Sequence, residues 1–183
     1  LMGIAGSLKE DQYPHFIGSW NIENDTLCKE IINLFDENKK MQRKGVTSSG
    51  DDNSTIKKTT DITITPNDLK NIKFKYLNNY IEELYKCYAD YQNQWPFLKT
   101  MLKNVHIGHF NIQKYLPGGH FAKIHTERYD TQTLHRAFAW MTYLNDVDDG
   151  GTTNFSHYDI KIKPEIGNTL IWPAEWTHAH SGE

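Results

Sequence analysis

His125 and Glu127 stand one residue apart at the end of a run that alternates like a strand. On a strand, successive side chains point to opposite faces, so these two share one. An imidazole nitrogen and a carboxylate on one face supply two donors to a divalent ion. About fifty residues later, Trp176-Thr177-His178-Ala179-His180-Ser181-Gly182 offers a third donor, from His178 or His180. These two would project from the same strand face, so spacing alone does not choose between them. Two histidines and one carboxylate, with coordination positions left open, form the set that holds non-haem Fe(II) for oxygenation chemistry. The chain has 9 His, and an isolated His-x-Glu pair is more often solvated surface than metal site. The setting is what singles this pair out.

That setting is built of short strands. Tyr115-Leu116-Pro117-Gly118-Gly119 reads as a strand entering a tight turn, and 120–126 as the strand that leaves it. Further strands are expected at 105–115, 136–145, 152–156, 158–163, 168–172 and 176–180. Short strands at this spacing, separated by Gly turns, suggest a sandwich or jelly roll. The first half of the chain reads differently. Phe16-Ile17-Gly18-Ser19-Trp20 suits an edge strand. Asn24 or Asp25 caps a helix running to about Asn38, with Leu27, Ile31, Leu34 and Phe35 on one face. Thr60–Ile64 alternates as a strand. Thr65-Pro66-Asn67-Asp68 reads as the start of a second helix to about Asn93, carrying Leu77, Ile81, Leu84, Tyr88 and Tyr91 as its apolar stripe and ended by Trp95-Pro96. Between strand and first helix, residues 44–56 are rich in Gly, Ser and Asp: a plain surface loop, or a lid over a substrate groove. Helices first and strands afterwards give an α+β domain with the helices packed on one sheet.

Size and composition set the bounds. The 183 residues fit one domain, and 38% hydrophobic with 23% charged residues is an ordinary globular balance. A net charge of -3 gives no support for a nucleic-acid or anionic-membrane surface. Cys28 and Cys87 lie on separate expected helices, which points to a reducing, cytoplasmic compartment and not to a disulfide framework. No apolar run approaches a membrane span. No internal repeat is evident.

Six pieces, in order, carry a resemblance. They are Tyr115 with its Pro-Gly turn; Phe121 before His125-x-Glu127; Arg136 seven residues before Tyr143-Leu144-Asn145; Gly150-Gly151-Thr152-Thr153-Asn154-Phe155; Pro164-x-x-Gly167 with Leu170-Ile171-Trp172-Pro173; and His180-x-Gly182. The segment from about Ile107 to Glu183 thereby resembles the catalytic core of the 2-oxoglutarate/Fe(II) dioxygenases, in the prolyl 4-hydroxylase-like branch. The His-x-Glu version, with Trp-Pro-Ala and Thr-His-x-His, is similar to small hydroxylase-like proteins of marine bacteriophages.

The resemblance implies a double-stranded β-helix over 105–183, with 1–104 as helical support and lid. It implies Fe(II), 2-oxoglutarate as co-substrate and ascorbate as reductant. The reaction would couple decarboxylation to succinate and CO2 with hydroxylation of a C–H bond, most directly on a peptidyl proline. Free amino acids or other small molecules are the rival substrates, and a catalytically silent ligand-binding module is the rival from another class. The pattern His-x-Gly favours His180 as third ligand, beside His125 and Glu127. Tyr115, Tyr143 and, more weakly, Thr152 match co-substrate contacts; for the two tyrosines the rival reading, of less weight, is packed strand aromatics with a satisfied hydroxyl. Arg136 is a substrate contact or an exposed strand-end charge. Glu127 departs from the family's usual Asp. The cation for the far carboxylate of the co-substrate, and a last core strand, are expected beyond residue 183.

Overall fold

The computed structural model of the chain describes residues 14–46 and 57–183. Residues 47–56 of the polar 44–56 segment lie outside the described residues.

Two helices form the apolar backing of the domain. Helix α1 (Asp25–Glu37) is capped by Asn24, whose side chain accepts from the Leu27 amide at 3.1 Å. That cap satisfies one of the orphan donors of the first turn. Its inward stripe is Leu27, Cys28, Ile31, Leu34 and Phe35. Helix α2 (Lys75–Gln94) buries Leu77, Tyr80, Leu84, Cys87 and Tyr91. It begins later than the Thr65–Asp68 start expected from sequence. The Asp68 carboxylate instead accepts from both the amide and the hydroxyl of Thr65, at 2.8 and 2.7 Å. The Asn71 side chain likewise accepts from the Lys73 amide. Such local bonds compete with helical ones, and the stretch settles into two 3-10 turns, Asp68–Lys70 and Ile72–Phe74. Pro96 follows the end of α2, and a short helix α3 (Phe97–Met101) comes after it.

Three antiparallel sheets are present among the described residues. The first has the order β1 (Gly18–Asn21), β9 (Asn168–Pro173), β6 (Phe138–Thr142). The second runs β5 (Phe121–His125), β10 (His180–Gly182), β7 (Thr153–Phe155), β8 (Ile160–Ile162). The third is β2 (Arg43–Lys44), β3 (Thr60–Ile64), β4 (Phe110–Lys114). The strands expected at 105–115 and 136–145 are shorter than predicted. The one expected at 176–180 is not a continuous strand: Trp176–His178 is a 3-10 turn, with the His178 amide bonded to the Glu175 carbonyl, and β10 starts at His180.

Strand β9 is the middle layer. Its alternation sends Ile171 into the cluster with α1 and α2, and Leu170 and Trp172 into a second cluster with Ile17, Ala139 and Phe155. Phe155 belongs to β7, so this second core joins the first sheet to the sheet that carries both histidines. The helical layer is broader than expected, because Ile62, Ile64 and Ile112 of the third sheet share the first cluster.

Candidate metal centre

Strands β5 and β10 pair so that His125 and His180 are direct partners. The turn that feeds β5 needs glycine: Gly118 has φ +73, where a side chain would be strained, and the Gly119 amide closes the turn onto the Leu116 carbonyl at 2.6 Å. Beyond β5 the chain is held by Thr126, whose hydroxyl donates to the Ala174 carbonyl at 2.8 Å. Glu127 then turns its Oε1 toward both imidazoles, 3.7 Å from His125 Nε2 and 3.8 Å from His180 Nε2. One donor atom from each of the three residues lies within 4.8 Å of the others.

The ring orientations follow from backbone carbonyls. His125 Nδ1 lies 3.0 Å from the Lys123 carbonyl oxygen and His180 Nδ1 2.9 Å from that of His178. A carbonyl only accepts, so each Nδ1 carries the proton and each Nε2 presents a lone pair. Ligating histidines are held in this way. Aromatic rings fix the planes: Phe121 stacks on His125 at 3.9 Å between centroids, and Trp172 meets His180 edge-on at 5.1 Å. Burial lowers both histidines below the ordinary imidazole range, and for His180 the neighbouring His125 adds to the effect. Both rings are therefore neutral and ready to ligate near pH 7.

This donor set fits an iron(II) ion. Separations of 3.7 and 3.8 Å are too long for hydrogen bonds. Two lone-pair nitrogens and a carboxylate oxygen converge with no proton between them, an arrangement that a shared cation satisfies.

The remaining sequence candidates separate clearly. His178 is buried, but its ring points elsewhere: Nε2 lies 2.8 Å from the His15 carbonyl oxygen and Nδ1 2.9 Å from Thr177 Oγ1. It bolts the entry of β1 to the 3-10 turn. Tyr143 hydrogen-bonds Thr153 Oγ1 at 2.6 Å, and burial raises its phenol. The hydroxyl of Thr152, the neighbouring candidate, donates instead to Asn154 and to Glu183. On β7 the residue that meets Tyr143 is Thr153, one position on. Tyr115 donates to Gln113 Oε1 at 3.4 Å, and crowding at its hydroxyl together with the Asp61 charge raises its phenol.

Two features carried no sequence signal. Arg136 Nη1 reaches the Glu127 carboxylate Oε2 at 3.3 Å and the Glu127 carbonyl oxygen at 3.1 Å. It is therefore not a fully exposed strand-end charge. The nine-residue separation spans an irregular loop, so no periodicity could have paired them. Behind Tyr115, Lys57 forms a buried ion pair with Asp61 at 2.8 Å, with Gln113 donating to the same oxygen at 3.2 Å. Lys57 also lies 5.4 Å from the centre of the Phe121 ring that backs His125.

The chain resembles known proteins in part of its sequence and in its fold. Residues 110–183 match the sequence model of the 2OG-Fe(II) oxygenase superfamily. No curated protein matches the chain in sequence. Among solved structures, a prolyl-4-hydroxylase of Pseudomonas putida superposes with a TM-score of 0.69 at 16% identity, covering 95% of this chain and 88% of that one. A prolyl hydroxylase of Trichoplax adhaerens, in complex with a hypoxia inducible factor oxygen degradation domain peptide, gives 0.68 at 14%, covering 92% and 77%. The viral collagen prolyl hydroxylase of Paramecium Bursaria Chlorella virus-1 gives 0.62 at 15%, covering 92% and 87%.

Proposed function

We propose that this chain, whose residues 110–183 match the 2OG-Fe(II) oxygenase superfamily and whose fold is similar to that of solved prolyl hydroxylases, is an oxygenase that hydroxylates prolyl residues in a peptide or protein. His125, Glu127 and His180 are the iron ligands in this reading. The observation that carries it is the convergence of their three donor atoms, with exposed apolar residues on the chain segments that flank the ligands. Tyr129, Leu134 and Trp176 are all exposed. The first two lie on the loop between Glu127 and Arg136, and Trp176 sits between Glu175 and His178. Arg128 and Glu175 form an ion pair that ties these two segments together. Exposed apolar side chains on these flanking segments suit contact with an extended proline-containing segment, which carries few donors of its own. A closed polar chamber would suit a free amino acid better.

Bound iron with 2-oxoglutarate supplies the oxidising chemistry, with succinate and CO2 as co-products. The chain's own residues hold and orient. Neutral His125 and His180 give nitrogen lone pairs, and Glu127 gives one carboxylate oxygen. The bonded hydroxyl pair of Tyr143 and Thr153, together with Tyr115, would meet a carboxylate of the co-substrate. Phe121, Phe155 and Trp172 keep water away from the two rings. In the same reading, sheets β1-β9-β6 and β5-β10-β7-β8 are the two faces of a double-stranded β-helix. Residues 105–183 are the catalytic core and the preceding residues its support.

The test is succinate release by the purified protein with Fe(II), 2-oxoglutarate and ascorbate, with mass spectrometry of the peptide. Release should rise with a proline-containing peptide, which should gain one oxygen on proline. Turnover of free amino acids with no response to peptides would move the assignment to a small-molecule hydroxylase. No succinate across both panels, despite bound iron, would favour a silent binding module.

A further inference from the structure

We infer that Arg136 is a positioning residue that folds the Glu127 side chain back on itself and fixes it as a single-oxygen ligand. The inference rests on the reading of His125, Glu127 and His180 as a metal site. One nitrogen, Nη1, grips both ends of Glu127: the backbone carbonyl oxygen at 3.1 Å and carboxylate Oε2 at 3.3 Å. The other carboxylate oxygen, Oε1, is the one that faces His125 and His180. The guanidinium thus divides the labour between the two oxygens.

The division answers a geometric problem. Glutamate has one more rotatable bond than aspartate, so from the same backbone position its carboxylate sweeps a larger volume. Unrestrained, it loses more side-chain entropy on ligating. It can also offer both oxygens to the ion and occupy a position that the co-substrate or O2 requires. A guanidinium on Oε2 closes that option and removes the rotational freedom. Arg128, the nearest other arginine in sequence, is committed to Glu175 and cannot substitute. Arg136 is itself set by its amide bond to the Thr133 carbonyl at 3.0 Å, in a turn that Asp130 and Thr133 tie together with further bonds. A lysine would carry its donors on a compact ammonium at the end of a flexible stem, and so would hold the two oxygens less rigidly than the guanidinium does.

The test is a double-mutant cycle read by Co(II) binding to the iron-free protein, with no turnover required. Arg136→Met should weaken Co(II) binding by about 10-fold or more, the range for lost support of a ligand. It should also change the Co(II) visible spectrum, as the carboxylate changes from one-oxygen to two-oxygen ligation. Arg136→Lys should fall between the wild type and Arg136→Met, and it reads the same effect if the Met variant does not fold. In a Glu127→Asp background, where the shorter arm is not folded back, Arg136→Met should alter binding by less than about threefold, within the additivity expected of uncoupled sites. Equal weakening in both backgrounds would mean that Arg136 supports only the loop, and an unchanged Co(II) affinity in folded Arg136→Met would overturn the clamp outright. If the wild type and every variant fail to bind Co(II), the metal-site reading falls and the clamp with it.

Discussion

His125 and His180 face each other across paired antiparallel strands, their ring centroids 4.4 Å apart, with each Nδ1 bound to a backbone carbonyl oxygen. His178, two residues from His180, has no part in that pairing. Its ring is spent on the His15 carbonyl and Thr177. The two histidines should therefore respond differently to alanine. His180→Ala should abolish Fe(II) or Co(II) binding, as should His125→Ala. His178→Ala should keep the metal and lose about 1–3 kcal/mol of folding stability, the cost of breaking buried hydrogen bonds. Metal content per chain and urea unfolding check both halves. Loss of metal in His178→Ala with unchanged stability would reverse the assignment.

Acid should destabilise the metal-free protein in a defined window. His125, His178 and His180 are all held below the ordinary imidazole range, chiefly by burial. The folded state thus binds fewer protons than the unfolded chain as pH falls through an unfolded histidine's value near ~6.5. Stability rises with pH wherever the unfolded state holds more protons, so this contribution is fully present above that value and is lost below it. The melting temperature of iron-free protein should fall between pH 7.5 and 5.5, before carboxylates titrate. Metal affinity should fall over the same range, because protons compete for Nε2. A flat melting temperature across this interval would contradict the burial seen around the three rings.

The buried Lys57–Asp61 pair gives a prediction with opposite single and double effects. Both side chains are almost fully buried, at 5% and 9% exposure, so neither charge is comfortable alone. Asp61 Oδ1 and Thr59 Oγ1 have no hydrogen-bond partner among the described residues, so the cluster has little spare compensation. Lys57→Met should cost about 3–5 kcal/mol by stranding the Asp61 carboxylate. Lys57→Met with Asp61→Leu should recover most of that loss, since well-packed apolar groups replace such pairs at little cost. Chemical denaturation of the three proteins measures both terms. A double variant no better than the single would show that the pair organises more than its own charges.

Much of this was legible in the sequence because periodicity is local. The α1 stripe from Leu27 to Phe35, its Asn24 cap and the β3 alternation all follow from spacing within a few residues. His125 and Glu127 could be placed as neighbours for the same reason. What spacing could not give was direction beyond a regular element. The choice between His178 and His180 depends on a 3-10 turn that breaks the strand between them. Which of Thr152 and Thr153 meets Tyr143 is a one-residue phase on β7, and a one-residue shift reverses the face. The late start of α2 depends on Asp68 and Asn71 taking up backbone amides, where the Thr-Pro-Asn-Asp pattern suits a helix start and a turn equally. The Arg136 contact crosses an irregular loop, where no period exists to read.

Glu127 is the residue at which sequence pattern and structure pull hardest against each other. Aspartate is the usual carboxylate in the pattern that the chain resembles, so Glu127→Asp could look like a restoration. The surroundings argue otherwise. Oε1 lies almost equally far from the two imidazoles, at 3.7 and 3.8 Å, and Oε2 is engaged by Arg136. Removing one methylene withdraws the carboxylate along its own arm. Its distance from the histidine pair and its bond to Arg136 cannot both be kept unless the backbone after β5 shifts. That backbone is pinned by Thr126 to the Ala174 carbonyl. Glu127→Asp should therefore weaken metal binding and lower succinate release together, on the order of 10-fold or more, as disturbed ligand support does. Its melting temperature without metal should stay near wild type, since Glu127 is only partly buried. Metal titration, succinate assay and metal-free melting on the same preparation separate the possibilities. If Asp binds metal more tightly and turns over faster, the longer arm is a defect tolerated by the site and not one to which Arg136 and the Thr126 anchor are fitted.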